Sequence, residues 1–226
     1  MLTASTANLG EPKPGPQRKH SEAGYSYRSP AKPGESELTE RGSRFIGVCA
    51  PVSGEDKAKA FVASVRRQHP NASHHVYAYR LRDGVCRQSD GGEPSGTAGS
   101  PLLEALARGE VTDAVIAVTR YFGGTLLGAG GLVRAYAKTA AAALDAAGIR
   151  EMRPWREGAV TVSYPLYEQT ARLLAAMGGQ DVKPDFGADV TVRFTLPEED
   201  WAAVVKALRE LSAGSAEPVG SGDFYA

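Results

Sequence analysis

The sequence predicts an α+β protein of two domains. Residues 35–150 alternate strand and helix patterns, and residues 157–226 follow the order β-α-β-β-α-β. The second order is the split βαβ arrangement of a ferredoxin-like domain. A chain of 226 residues has room for two domains of this size. We place the boundary between them near residues 151–157.

The composition and net charge of the whole chain do not indicate a binding partner, so only local sequence features can do so. The chain has 26 basic and 26 acidic side chains, and hydrophobic residues make up 42% of it. Because the charges balance, no global field attracts nucleic acid or an anionic membrane. Any binding of nucleic acid must therefore come from a local basic patch.

Localisation and cofactor expectations follow from which signals the sequence carries. The first residues show no apolar core of a signal peptide, and the apolar runs are too short to span a bilayer. Cys49 and Cys86 stand alone, without a CxxC pair or a nearby His/Cys cluster. We expect a cytoplasmic protein with no membrane contact, no metal site and no cofactor.

Residues 1–34 have the composition of a disordered tail. They are rich in Pro, Gly, Ser and charged residues, and they contain almost no aliphatic side chains. Such a segment cannot bury enough apolar surface to offset the entropy lost on ordering. Basic residues of such a tail can contact RNA, but a solvated tail is the simpler interpretation.

The first domain is predicted to alternate strands and helices. Ser53 is the expected cap of its first helix, and Ser100 with Pro101 is the expected start of its second. The run at 113–122 is continuously apolar, which is typical of a strand buried on both faces. The strands are expected at 43–52, 74–81 and 113–122, and the helices after Ser53, from Ser100 to Gly109 and over 131–147.

The second domain is predicted to have four strands and two helices. Each helix starts at a proline, Pro165 and Pro197, which is a favoured residue in the first helical turn. The strands are expected at 159–164, at two places within 178–196 and, more weakly, at 216–225.

The stretch TRYFGGTLLGAGGLVRAYAKTA, residues 119–140, crowds glycines between a strand and a helix. It is not a Walker phosphate loop, because Ala129 and Gly130 stand where Lys and Ser/Thr are needed. It is not a dinucleotide-binding turn either, because Val133 occupies the place of the third glycine. Both standard nucleotide motifs are therefore excluded.

The same stretch still has the elements of an anion site. A helix that begins after a glycine loop presents unpaired N–H groups and the positive end of its dipole. Arg120, Arg134 and Lys138 lie nearby in sequence. The alternative is that the glycines only allow close packing and the basic side chains are solvated. The candidate residues for binding an anion or a partner are Gly96, Thr97, Arg120, Gly123, Gly124, Gly130, Gly131, Arg134 and Lys138.

Another glycine-rich loop, SDGGEPSGTAGSP at residues 89–101, also leads into a helix. In chain order we call it the first loop, and we call the glycine-rich loop within residues 119–140 the second loop. Two such loops can converge on one concave surface. Asp90 and Glu93 are poor candidates for an acid/base pair, because loop carboxylates are usually solvated or cap a helix. His74 and His75 are adjacent in a strand and point to opposite faces, so only one can face the site. These four residues are the possible site-lining set.

The segments SRFIG, SHHVYAYR, SDGGEPSGTAGSPLLEAL and VTRYFGGTLLGAGGLVRAYAKTA together resemble the YigZ/IMPACT family. The match covers residues 38–148, and the downstream unit is similar to the small C-terminal domain of bacterial members. The resemblance implies a first domain like domain 2 of ribosomal protein S5, with a mixed sheet and helices on one face. It also implies a second domain like the small domains of elongation factor G.

The resemblance implies a function connected with translation. Eukaryotic members regulate translation during amino-acid starvation, and no enzymatic activity is established for the family. This chain departs from the usual paired acidic residues before GEP, because Gly91 follows Asp90. That departure weakens any magnesium-assisted chemistry at the loop.

We therefore expect a non-enzymatic protein that binds RNA, the ribosome or a translation-associated protein. The alternative is a phosphotransferase or hydrolase whose glycine-rich loops hold a phosphate-bearing ligand. Spacing alone does not distinguish these two functions.

Overall fold

The computed structural model describes residues 25–226, so most of the predicted tail lies outside the described residues. The first domain is α+β, as predicted. Its strands are β1 Tyr27–Pro30, β2 Gly34–Glu40, β3 Ser43–Pro51, β4 His74–Arg80, β5 Cys86–Ser89, β6 Ala114–Tyr121 and β7 Ile149–Met152. Its helices are α1 Glu55–Gln68, α2 Gly99–Arg108 and α3 Ala129–Ala147.

The main sheet of this domain has the strand order β2-β3-β6-β4-β5. All of its pairings are antiparallel, so the mixed sheet implied by the resemblance is wrong. The reason is that β6 lies between β3 and β4, the two parallel strands joined through α1. The strands β3 and β4 therefore do not pair with each other, and each pairs with antiparallel neighbours instead.

Helices cover both faces of this sheet, which corrects the expectation of one covered face. Ile116 and Val118 of β6 belong to the core formed with α2 and α3. Val115 belongs to a second core with Ala58 and Val62 of α1. The alternation along β6 therefore places neighbouring residues against different helices, and the prediction of a strand buried on both faces is confirmed.

The helix starts differ from the sequence expectations. Gly54, not Ser53, occupies the cap position of α1, and no side chain caps that helix. α2 begins at Gly99 instead of using Ser100 as its cap. α3 begins at Ala129, two residues before the expected start.

The prediction of a disordered tail up to residue 34 is wrong for its last part. β1 pairs antiparallel with β7, and β2 begins at Gly34. Ser29 is buried, and the ring of Tyr27 contacts that of Tyr225. These partners lie far along the chain, so the local composition of the segment does not reveal them.

The second domain is a ferredoxin-like unit, and this prediction is confirmed. Its sheet has the order β11-β8-β10-β9 with antiparallel pairings throughout. It begins with β8 at Pro154, which lies within the boundary region placed at 151–157. Its elements are β8 Pro154–Val162, α4 Tyr164–Ala176, β9 Gln180–Phe186, β10 Val190–Pro197, a 3₁₀ turn Glu198–Asp200, α5 Trp201–Leu211 and β11 Val219–Tyr225.

The core of the second domain lies between its sheet and its two helices. Val192 and Phe194 of β10 pack against Val204 and Leu208 of α5, and Leu174 of α4 joins the same cluster. Throughout residues 25–226, no helix is both long and apolar enough to cross a membrane.

Candidate functional site

A buried ion pair lies beneath the two glycine-rich loops. Arg120, near the end of β6, is only 4% exposed. Its Nη1 donates to Glu93 Oε1 at 2.7 Å, and its Nη2 donates to Ser43 Oγ at 3.1 Å. The expectation that Arg120 contributes to an exposed anion site is therefore wrong, because its guanidinium is directed into the protein.

Glu93 is the centre of this buried network. Its carboxylate Oε1 also accepts a hydrogen bond of 2.7 Å from the hydroxyl of Tyr136 on α3. Burial raises the pKa of Tyr136, and the neighbouring Glu93 carboxylate raises it further. His74 Nε2 lies 3.8 Å from Glu93 Oε2. The first loop is thus tied to β4, β6 and α3 by one carboxylate, and Glu93 is not a solvated loop residue.

Sequence reasoning missed Ser43 and Tyr136 as members of this network. Ser43 Oγ also accepts a hydrogen bond of 3.2 Å from the backbone N–H of Gly123 in the second loop. The only available signal was a tyrosine in the apolar stripe of α3, since a buried Tyr hydroxyl usually requires a partner.

Asp90 lies several residues before helix α2 in sequence, but its carboxylate caps the start of that helix. Its Oδ1 accepts from the backbone N–H groups of Ala98 and Gly99 at 3.1 and 2.8 Å, and its Oδ2 accepts from Gly96 at 2.9 Å. Thr97 donates its hydroxyl to the carbonyl oxygen of Pro94 at 2.6 Å. The prediction that Gly96 and Thr97 bind an external anion is therefore wrong, because an internal carboxylate already occupies that position.

Removing the Asp90 carboxylate should destabilise the protein in a pH-dependent way. Burial raises the pKa of Asp90, but the three backbone donors outweigh it and the pKa is lowered. A lowered pKa in the folded state stabilises the protein above the ordinary Asp range, and that stability is lost as the pH falls through the folded value. We expect Asp90→Asn to cost about 1–3 kcal/mol at pH 7.

Urea unfolding of Asp90→Asn and of the wild type at several pH values measures this contribution. The difference between them should shrink below pH of about 4. Asp83→Asn is the control, since Asp83 is an exposed loop carboxylate whose one hydrogen bond within residues 25–226 comes from Val85 N–H. A difference of constant size from pH 7 to pH 3 would contradict this role for Asp90.

The two adjacent histidines do not converge. His74 pairs in register with Arg120 and lies on the side of the buried network, where its Nδ1 donates to the carbonyl oxygen of Gly91 at 3.1 Å. His75 points to the face covered by α1, near the hydroxyl of Thr119. Burial, with the nearby Arg66, lowers the pKa of His75. Only His74 adjoins the site.

The glycines of the second loop have different roles. A Cβ at Gly123 would lie 1.9 Å from the carbonyl carbon of Gly42, so close packing against the β2–β3 turn requires glycine there. Gly124 has a φ of 82° and open space around it. Gly130 and Gly131 belong to the first turn of α3, which has no acidic residue and no side-chain cap. Packing therefore explains Gly123 and bears on Gly131, where a Cβ would lie 3.0 Å from the Cβ of Leu127, but it does not explain Gly130.

An exposed surface beside this helix start carries three basic side chains, Arg41, Arg134 and Lys138, and we call it the basic groove. It is a small depression of about 110 Å³. Glu40 and Leu127 also line it, together with Gly131 and Ala135. Arg134 and Lys138 are exposed on one face of α3, as the sequence predicts.

Sequence reasoning missed Arg41. This residue has a φ of 47° and, with Gly42, forms the turn between β2 and β3. The turn packs on Gly123, which places Arg41 beside the second loop. None of the described residues lining the groove comes from the first glycine-rich loop, so that loop and Arg134 do not share a cleft.

Large apolar side chains are exposed close to the groove in sequence. Phe122 and Leu126 of the second loop are 47% and 81% exposed, and Val133 of α3 is 39% exposed. Val133 is therefore not part of the buried face of α3. No group of three or more potential metal-ligating side chains occurs within the part of the chain that the structure describes.

Two family models match this chain. The Impact N-terminal domain matches residues 41–144, which include the buried network and the three basic side chains of the basic groove. A domain of unknown function (DUF1949) matches residues 160–215 of the ferredoxin-like unit.

Individual relatives match over most of the chain. The chain is 37% identical over 194 residues to the IMPACT family member YigZ of Escherichia coli, covering 84% of this chain and 95% of that protein. It is 42% identical to the IMPACT family member YvyE of Bacillus subtilis over 134 residues, covering 58% of this chain and 62% of that protein.

A solved structure agrees with the fold. It is described as the crystal structure of a hypothetical protein, is 35% identical, covers 87% of this chain and 98% of its own, and has a TM-score of 0.60. The family models, the relatives and the fold lead to one conclusion: the chain belongs to the IMPACT family.

Proposed function

We propose that this protein is a non-enzymatic, translation-linked binding protein of the cytoplasm, and that its basic groove contacts the phosphates of structured or ribosomal RNA. The observation that carries the proposal is the clustering of Arg41, Arg134 and Lys138 on one exposed surface. The link to translation is supported by family membership together with the function that the family resemblance implies.

The charge of the groove favours an anionic partner. Three basic side chains and one acidic side chain, Glu40, line the depression. Neither Arg134 nor Lys138 forms an ion pair with a carboxylate of residues 25–226. A locally positive surface of this kind can bind phosphates although the whole chain is neutral.

The start of α3 adds to the same field. Its first turn carries no acidic residue, so the partial positive charge of the helix terminus is not neutralised there. Arg134 and Lys138 lie four residues apart, in the second and third turns of this helix. The helix terminus reinforces the basic side chains, which supply most of the attraction.

The exposed apolar side chains favour a second candidate, a translation-associated protein with an acidic surface. Phe122, Leu126 and Val133 are the kind of exposed apolar groups found in protein interfaces. An exposed aromatic ring can also stack on an RNA base. Sensitivity of the complex to nuclease distinguishes these two partners.

The internal hydrogen bonds of the first loop support a binding function over phosphotransfer. A phosphate at the start of α2 would have to displace the Asp90 carboxylate from Gly96, Ala98 and Gly99. The Thr97 hydroxyl already donates to a backbone carbonyl oxygen. The Asp90 carboxylate and the Thr97 hydroxyl are therefore already engaged, which disfavours a kinase-like or hydrolytic site built on them.

Sedimentation of the tagged protein through a gradient of cell lysate at low salt tests the proposal. We expect the protein to travel with ribosomal fractions and to leave them after nuclease treatment, because the contacts are made to RNA. The double variant Arg134→Ala/Lys138→Ala should remain at the top of the gradient.

The matched control removes the same charge elsewhere. Arg172→Ala/Lys206→Ala takes two exposed basic side chains from the helices of the second domain and should sediment like the wild type. A stoichiometric protein complex that survives nuclease treatment would favour the second candidate. The proposal fails if the wild type binds nothing, or if both double variants behave like the wild type.

A further inference from the structure

A cleft of about 630 Å³ lies between the two domains, away from the basic groove. Its walls come from both domains, and four aromatic side chains contribute to them: Tyr27, Trp155, Phe224 and Tyr225. Its volume lies in the range typical of pockets for small ligands. Nothing in the family matches assigns a role to this cleft.

One wall is a stack of an arginine and two tyrosines. The Arg82 guanidinium carbon lies 4.4 Å from the ring centroid of Tyr225 and 5.5 Å from that of Tyr27. Asp113 anchors Arg82, since its carboxylate accepts from the backbone N–H of Arg82 at 3.0 Å and lies 3.5 Å from Nε. Burial, with the nearby Asp113, raises the pKa of Tyr27 to about 12, so this ring stays neutral at physiological pH.

The other wall presents two tilted rings. Trp155 and Phe224 lie on paired strands, β8 and β11, with ring centroids 6.4 Å apart and an interplanar angle of 31°. Phe224 is 36% exposed, and Trp155 is half-buried. Large aromatic surfaces that remain accessible inside a concave site can stack against a planar ligand.

Among the charged side chains that line the cleft, one basic side chain is available to bind a ligand. Glu198 and Asp223 are both paired with Arg156, at 2.8 and 3.1 Å. Arg150 of β7 also lines the cleft, is exposed, and makes no salt bridge within the described part of the chain. An exposed arginine without an ion-pair partner can form two parallel hydrogen bonds with a phosphate group.

We propose that the interdomain cleft binds a nucleotide, with its base stacked on Trp155 and its phosphate held by Arg150. Aromatic faces that accept a base and a guanidinium that accepts a phosphate occur together in one cavity of suitable volume. The ligand is either a free mononucleotide or a nucleotide extruded from single-stranded RNA. The proposal is independent of the basic groove, because the two sites share no residue.

Isothermal titration calorimetry tests this assignment with AMP, GMP, CMP, UMP, ribose 5-phosphate and a single-stranded RNA hexamer. The full chain and its Arg134→Ala/Lys138→Ala form are both titrated, so that binding at the basic groove is recognised separately. We expect at least one nucleotide or the hexamer to bind with a Kd of about 1 mM or tighter. Ribose 5-phosphate, which lacks a base, should bind about tenfold more weakly or not at all.

The variants Trp155→Ala and Arg150→Ala should each weaken binding about tenfold. Arg150 is exposed, so its variant remains informative if Trp155→Ala does not fold. Phe186→Ala is the matched control, because Phe186 is an exposed aromatic residue of the same sheet outside the cleft.

Two results support the cleft as a nucleotide site and identify its source. Binding of mononucleotides indicates a free ligand, and binding of the hexamer alone indicates RNA, provided that at least one cleft variant weakens it. Absence of saturable binding by every ligand would overturn the proposal. Binding that neither Trp155→Ala nor Arg150→Ala weakens would overturn it equally.

Discussion

Replacing Glu93 by alanine should lower the free energy of unfolding by about 3–5 kcal/mol. The substitution leaves the guanidinium of Arg120 buried without its carboxylate, and it removes the acceptor of the Tyr136 hydroxyl. The cost is large because both partners are almost fully excluded from water, so no solvent takes the place of the carboxylate.

Guanidinium unfolding measured by circular dichroism gives the stability of each variant. Glu93→Gln should be intermediate, because an amide keeps the shape and part of the hydrogen bonding but loses the charge. Glu104→Ala is the control, since the Glu104–Arg108 pair is exposed on α2 and should contribute no more than about 0.5 kcal/mol. Equal stability of Glu93→Ala and Glu104→Ala would contradict the importance of the buried pair.

Replacing Gly123 by alanine should cost about 3 kcal/mol. Its Cβ would lie 1.9 Å from the carbonyl carbon and 2.1 Å from the carbonyl oxygen of Gly42, and 2.3 Å from the backbone nitrogen of Ser43. These are backbone atoms of a tight turn, so no flexible side chain can move aside. The β2–β3 turn and the second loop must separate, and Arg41 must then move away from Arg134.

The same substitution at Gly130 provides the matched control. Gly130 lies in the first turn of α3, where a Cβ would meet only the far end of Arg134 at 3.5 Å. Alanine is the better helix former, so Gly130→Ala should stabilise the protein by up to about 1 kcal/mol. Thermal unfolding of the two variants should therefore shift in opposite directions. A Gly123→Ala protein as stable as the wild type would show that the turn and the loop are not tightly packed.

The buried network and the basic groove are connected through Ser43. Its hydroxyl accepts from both Arg120 and the N–H of Gly123, so it joins the ion pair to the second loop. The sequence segments that indicate the family lie largely around this network. Its function in the molecule is to hold the loops and the start of α3 in place, and the exposed side chains above it are available for a partner.

Much of the fold could be predicted because its signals are local. The apolar run of β6, the amphipathic pattern of α1 and the β-α-β-β-α-β order of the second domain each depend on neighbouring residues. The order of the elements followed from these patterns, and the family resemblance supplied the type of the first domain. The ends of helices were less predictable, since a cap can come from outside the local sequence.

The errors share a physical cause, which is contact between residues distant in sequence. Asp90 caps a helix that begins nine residues later, and β1 pairs with a strand at the far end of the domain. Arg120 of β6 is buried and pairs with a carboxylate from a distant loop. A charge in a sequence does not reveal whether its side chain reaches water. Arg41 was missed for the opposite reason. It is a surface residue, and the β2–β3 turn places it beside a helix that is distant in sequence.

The central claim, that the basic groove binds RNA phosphates, is tested most directly by the salt dependence of RNA binding. Fluorescence anisotropy of a labelled structured RNA gives the affinity at salt concentrations between about 50 and 200 mM. Plotted as logarithms, the slope of affinity against salt for Arg134→Ala/Lys138→Ala should be shallower than for the wild type by about 2, one for each phosphate that the variant no longer neutralises. Parallel lines for the two proteins would contradict the claim.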